Sequence, residues 1–139
     1  MTSQAPTVSD VVSVAEFRAA LRVFLRRSER IARQSGLTPQ RYLLLLMIKG
    51  ARDGSEQSTV TELSERLQLA QSTVTELVRR AEEAGLIDRE QSTQDGRIAH
   101  LRLSPEGESR LMRSFTELAT QRQHLAEAFE QLDAELPAG

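Results

Sequence analysis

Cysteine is absent from the 139 residues. That excludes a disulfide framework, a zinc ribbon, an iron–sulfur sensor and a thiol redox switch together. Aromatic residues are few, at 4%, so the core that a 39% apolar content allows must be built mainly from Leu, Val, Ala and Ile. No apolar run approaches the ~20 residues needed to cross a bilayer. Met1 to Asp10 has neither the basic start nor the apolar stretch of a secretory signal. We therefore expect a soluble, cytoplasmic protein with no membrane contact. Constellations that carry chemistry are missing too. There is no nucleophile–base set, no glycine-rich phosphate loop and no paired acids in a plausible cleft, so an enzyme is not expected. His100 and His124 stand apart from each other and from any Cys or carboxylate cluster at ligand spacing, so neither a metal nor another cofactor is expected.

An excess of one charge is also lacking, with 18 basic against 20 acidic residues. That near-neutrality hides a strong segregation. Residues 14–52 carry nine Lys/Arg against two Asp/Glu, residues 59–103 six against eight, and residues 104–139 three against seven.

Along the chain, residues 1–8 form a polar lead-in expected to be disordered. Ser9 or Asp10 is expected to cap a long helix reaching about Gln34. Val14, Phe17, Leu21, Phe24, Ser28 and Ile31 recur at alternating spacings of three and four, which places them on one stripe, widened by Leu25 and Ala32. Arg18, Arg22, Arg26, Arg30 and Arg33 fall on another face. Thr38-Pro39 starts a second helix, Thr38 as N-cap and Pro39 at N1 where no N–H is needed. It is apolar from Leu43 through Ile48 and closes at Gly50. These helices make up an N-terminal region over 9–58.

Residues 59–103 read as a separate unit. Thr59 and Glu62 have the spacing of a capping box at the start of a short helix ending near Leu67. A second helix runs from about Gln71 to Ala84, with Val74, Leu77, Val78 and Ala81 facing inward. Residues 86–91 and 98–103 read as two strands around a turn-rich Ser92-Thr93-Gln94-Asp95-Gly96-Arg97, a β-hairpin. Residues 104–136 then form one last helix started by Ser104-Pro105, with Leu111, Phe115, Leu118, Leu125, Phe129 and Leu132 as its apolar stripe. Pro137 is expected to end the structure. Arg122 interrupts that stripe, and is expected either to extend its head to solvent or to pair with an acid across a dimer.

A short helix, a tight turn and an amphipathic helix with a hydroxyl-rich start make a helix-turn-helix pattern. Such a second helix can enter the major groove with its N-terminal residues at base edges. Gln71, Ser72, Thr73 and Thr75 occupy that end, and Glu76, Arg79 and Arg80 continue the exposed face. Gln suits adenine, Ser and Thr suit base or phosphate, and Glu can accept from cytosine N4. Spacing alone fits two ordinary packed helices equally well. The hairpin adds Arg97 at a tip placed to enter the flanking minor groove, with Asp95 expected to orient its guanidinium by a bidentate pair.

Taken together, Leu37-Thr38-Pro39-Gln40, Thr59 to Leu67, Ser72-Thr73-Val74-Thr75, Gly85-Leu86-Ile87, Arg89, Asp95-Gly96-Arg97 and Leu103-Ser104-Pro105-Glu106-Gly107 resemble the MarR family, in order and spacing, over about residues 10–130. The resemblance implies a mainly α fold with a small β-hairpin: a winged helix-turn-helix carried on long N- and C-terminal dimerisation helices. It implies a homodimeric transcription regulator, a repressor or activator, on a pseudo-palindromic double-stranded DNA operator. Gln71 to Arg80 would form the recognition helix and Arg97 the wing tip, while Arg89 would meet the backbone or brace the wing. It also implies release by a small aromatic or amphipathic effector. For that ligand Phe24, Tyr42, Met47, Met112 and Phe115 are candidate pocket walls, with Arg27 or Arg41 for a carboxylate; ordinary core and surface roles remain open for all of them.

The two long stripes bear on the dimer. A helix of ~29 residues spans roughly 43 Å, more than one small core needs. We therefore expect Val14, Phe17 and Leu21 to meet Leu118, Leu125, Phe129 and Leu132 across a two-fold axis. Three departures from the family pattern stand out. Ala70 occupies the place of a hydroxyl or Asp cap, Glu76 occupies a place where a basic residue is common, and the closing helix is short. With the acidic balance of 59–103, these leave a second expectation open, a winged-helix module that binds a protein and not an operator.

Overall fold

In a computed structural model that describes residues 5–135, with side chains to residue 132, the chain forms six helices and a three-stranded sheet. Part of the lead-in (residues 1–4) and Pro137 lie outside the described residues. The first helix, α1, runs Val8–Gln34 and begins one turn earlier than Ser9 or Asp10 would allow as caps. Thr7 is the cap. Its hydroxyl accepts the Asp10 amide at 3.2 Å while the Asp10 carboxylate accepts the Thr7 amide at 2.8 Å, so Asp10 is the third residue of a capping box. Helix α2, Pro39–Lys49, starts on Thr38 and Pro39 as expected and buries Tyr42, Leu44, Leu45 and Ile48, although Leu43 faces outward. Its last carbonyls are held from elsewhere: Arg66 donates to the oxygens of Met47 and Gly50 at 3.1 and 3.0 Å.

A two-residue strand, β1 (Gln57–Ser58), precedes α3 (Val60–Leu67) and α4 (Gln71–Glu83). Strands β2 (Ile87–Gln91) and β3 (Ala99–Leu103) form the expected hairpin, with Ile87 opposite Leu103 and Gln91 opposite Ala99. β1 adds to the free edge of β3, Ser58 opposite Leu101, giving the order β1-β3-β2. That third strand was not expected; two residues carry no alternation to read. The core lies beneath the sheet, where Leu44, Leu45 and Ile48 of α2 meet Leu63, Val74, Val78, Leu86, Leu101 and Leu111, all essentially inaccessible to solvent.

The closing helix is not one helix. It breaks into α5 (Pro105–Glu117) and α6 (Ala119–Glu135) around Leu118, whose side chain is fully buried in the core. Arg122 belongs to this break. Its guanidinium lies 3.8 Å over the Phe115 ring and donates to the Phe115 carbonyl at 2.5 Å, so it neither snorkels freely nor needs an acid across a dimer. Beyond the break α6 lies along α1, and Phe17 meets Phe129 edge to face with ring centroids 5.9 Å apart. The two long apolar stripes therefore meet first within one chain. Leu21, Leu125 and Leu132 are half-buried there, whereas Val14 and Phe129 keep exposed surface. No helix among the described residues is long and apolar enough to cross a membrane.

Candidate nucleic-acid interface

Helix α3 is fixed at its start by local chemistry. Thr59 accepts the Glu62 amide at 3.2 Å and Glu62 accepts the Thr59 amide at 3.4 Å, the reciprocal box expected from their spacing. Its end is turned sharply by Gln68, in left-handed conformation with φ 55°. The Ser64 hydroxyl donates to the Leu69 carbonyl at 2.5 Å and holds that turn closed. Val74, Val78 and Ala81 then bury the inner face of α4. Gln71, Ser72, Thr73, Thr75, Arg79 and Arg80 are left exposed and Glu76 half-exposed, so the structure brings all seven expected recognition residues to one outer surface.

The start of α4 is chemically unlike its neighbours. Helices α1, α2, α3 and α5 are each capped by a hydroxyl, from Thr7, Thr38, Thr59 and Ser104. At α4 the cap position is Ala70, and no side chain bonds the first amides. The first N–H groups of a helix have no partner inside it, and the macrodipole adds partial positive charge there. An exposed, uncapped helix start of this kind is complementary to a phosphate oxygen.

Charge on the outer face of α4 is balanced locally. Arg79 donates to both carboxylate oxygens of Glu76, at 2.9 and 2.5 Å, and also meets Glu83. Arg80 reaches the same Glu76 oxygen at 3.0 Å. The Arg79 and Arg80 hydrogen bonds hold the Glu76 carboxyl at a pKa of about 2, well below the usual carboxylate range, and in return raise that of Arg79. This engagement was missed in the sequence, although Glu76, Arg79, Arg80 and Glu83 stand at the three- and four-residue spacings that make helix neighbours.

The wing is braced and its tip is exposed. Arg89 of β2 donates to Glu82 of α4 at 2.7 Å, an interaction that raises the Arg89 pKa and ties the hairpin to α4. In the turn, Ser92 accepts the amides of Gln94 and Asp95 at 3.2 and 3.3 Å. Asp95 Oδ1 accepts both the Arg97 amide, at 3.0 Å, and the Arg97 Nε, at 3.3 Å. The contact is thus a single-oxygen leash and not the expected bidentate pair. It leaves the Arg97 side chain 92% exposed at the end of the hairpin.

The candidate ligand residues do not gather in one place. Phe24 and Arg27 line a cavity of about 220 Å³ between α1 and α6, together with Val23, Gln121, His124 and Leu125. Tyr42 is buried in the core, where desolvation raises its phenol pKa, and Met47 packs half-buried against the same core. Met112 and Phe115 are exposed and Arg41 half-buried. Among the described residues no cluster of three or more His, Cys, Asp or Glu is arranged to hold a metal.

Comparison with known proteins bears on the whole chain. A model described as the MarR family matches residues 35–98, which run from just after α1 to the turn between β2 and β3. The uncharacterized HTH-type transcriptional regulator YsmB of Bacillus subtilis (strain 168) is 31% identical over 122 residues, covering 84% of this chain and 78% of YsmB. Among solved structures, AbsC, a MarR family transcriptional regulator from Streptomyces coelicolor, superposes with a TM-score of 0.72 at 18% identity, over 97% of this chain and 94% of AbsC. The S. aureus MepR–DNA complex gives a TM-score of 0.68 at 23% identity, over 86% of this chain and 89% of MepR. At these identities the two structures speak for the fold alone.

Proposed function

The chain belongs to the MarR family of transcription regulators, and from that premise we propose that it binds a pseudo-palindromic DNA operator as a homodimer and represses transcription there. The observation that carries this proposal is the pairing of an uncapped, hydroxyl-rich start of α4 with an exposed Arg97 at the wing tip. In this account α4 enters the major groove, Gln71, Ser72, Thr73 and Thr75 meet base edges, and a phosphate takes the free amides of the first turn. Arg97 enters the adjacent minor groove and Arg89 keeps the wing at a fixed distance from α4. MepR, a protein of the same fold, is known in complex with DNA, which supports DNA as the partner proposed here.

The homodimer is supported by surface that one chain leaves bare. At the start of α1, Val8, Val11 and Val12 are 81%, 62% and 54% exposed, and Phe129 of α6 is 58% exposed. Two joined reading heads also account for a pseudo-palindromic site, since one head spans a single half-site. The cavity between α1 and α6 is a candidate place for an effector. Its walls are apolar at Val23, Phe24 and Leu125, with Arg27 and His124 beside them, a setting for a small aromatic acid. Selection of bound duplexes from a random pool tests the main proposal. Enrichment of an inverted repeat supports it; recovery of no preferred sequence rejects it in favour of a protein-binding winged-helix module.

A further inference from the structure

We propose that Glu76 is a specificity-determining residue that restrains Arg79 and Arg80, weakening attraction to DNA of any sequence so that binding depends on base contacts. This rests on the operator-binding function proposed above, and sets a role for Glu76 other than acceptance from a cytosine.

The geometry is that of a chain of ion pairs, Glu83–Arg79–Glu76–Arg80, along one helix face. Residues 76, 79, 80 and 83 of α4 succeed one another at spacings that put them on neighbouring turns. Glu76 receives two bonds from Arg79 and one from Arg80, and Glu83 takes the remaining arm of Arg79. Two positive and two negative charges therefore cancel within one patch. A phosphate approaching Arg79 has to displace two carboxylates, and one approaching Arg80 has to displace the third bond to Glu76. The residues nearer the helix start, Ser72, Thr73 and Thr75, are uncharged and unaffected.

Such cancellation is uneven along this chain, although Lys49 pairs with Glu56 and Glu108, and Arg110 with Glu106. Along α1, Arg18, Arg22, Arg26, Arg30 and Arg33 make no ion pair among the described residues. Four of the six arginines of residues 59–103, by contrast, are ion-paired: Arg79 and Arg80 with Glu76, Arg89 with Glu82 and Arg97 with Asp95. Sequence-independent affinity comes from neutralised phosphates and the counterions they release. A recognition surface whose Arg79 and Arg80 are already engaged forgoes their share of that affinity. It keeps the hydrogen bonds that distinguish one base from another, and so gains in ratio what it loses in strength.

The test compares the full-length protein with Glu76→Gln, which preserves shape and one acceptor but removes the charge. Both are titrated against an operator duplex from the selection and against a scrambled duplex, from about 0.05 to 0.2 M salt. Glu76→Gln is expected to bind the scrambled duplex about fivefold more tightly per reading head, with a salt slope steeper by about 1, and to discriminate less. Arg80→Ala in the Glu76→Gln background is expected to return the slope to that of wild type. Unchanged affinity for the scrambled duplex, or a loss confined to the operator, overturns the proposal, and the latter would mark Glu76 as a base reader. Absence of binding by the wild-type protein itself would instead reject the operator-binding function.

Discussion

A Cβ on Gly107 would lie 2.1 Å from the carbonyl oxygen of Leu86, so the first turn of α5 presses directly on the backbone that leaves α4. Ser104 completes the joint. Its hydroxyl donates to the Gly85 carbonyl at 2.6 Å and accepts the Gly107 amide at 3.0 Å, capping α5 and pinning the start of the wing together. Backbone cannot give way as a side chain can. Gly107→Ala is therefore expected to lower stability by at least about 2 kcal/mol, the range of overpacked cores. Urea denaturation should reveal it as a lower midpoint; an unchanged midpoint would mean the two helices separate without loss.

Ala70 leaves the recognition helix uncapped, and the missing hydroxyl is worth about 1 kcal/mol of helix stability. Ala70→Ser should raise the urea midpoint by that amount with an unchanged slope. No gain would mean that the first amides of α4 are already satisfied in the free protein.

The arginine contacts on Glu76 also fix a pH dependence. The folded carboxyl titrates at about 2, below its ordinary 4.5, so its contribution to stability is present above about 4.5 and is lost as the pH falls through about 2. Because the group is exposed, solvent and salt screen the effect and keep it small. Carbon-13 NMR titration of Glu76 should give a midpoint far below the usual carboxylate range. Arg79→Ala should bring that midpoint back toward the usual value, Arg79 being the main cause. A normal midpoint in the wild type would dissolve the network.

Val11 and Val12 face solvent from α1 in a single chain. Replacing both with Asp would place four charges in a two-fold interface without partners, and is expected to yield a monomer with an intact fold. Light scattering with circular dichroism measures both quantities. A wild-type protein that is monomeric at micromolar concentration while binding operator normally would refute the proposed dimer.

Much of the fold was legible because its helix starts are written in local chemistry. Thr38-Pro39, Thr59 with Glu62, and Ser104-Pro105 each place a cap or a preset φ at a helix start, and each start is where it was expected. The break at Leu118 was not legible. Its residues keep a helical apolar period throughout, while the burial of Leu118 and the Arg122 bond to the Phe115 carbonyl at the break are tertiary features that no period displays. The same limit applies to contacts made by tertiary packing. Lys49 meets Glu56 and Glu108 at 2.7 Å each, residues distant in sequence that no spacing rule connects. At the site, the exposed row from Gln71 to Arg80 followed from helical period. What it lacked was the pairing of Glu76 with Arg79 and Arg80, which that same period contained.

The operator-binding account stands most directly on Arg97, whose side chain is 92% exposed at the wing tip and meets only one oxygen of Asp95. Fluorescence anisotropy of a selected operator duplex with the wild-type protein and with Arg97→Ala, between about 0.05 and 0.2 M salt, measures its role. For the wild type, the logarithm of affinity should fall linearly with that of salt concentration. Arg97→Ala should bind more weakly at every salt concentration, with a slope shallower by about 1 for each wing. A wild-type affinity independent of salt, or an Arg97→Ala protein indistinguishable from it, would contradict the account.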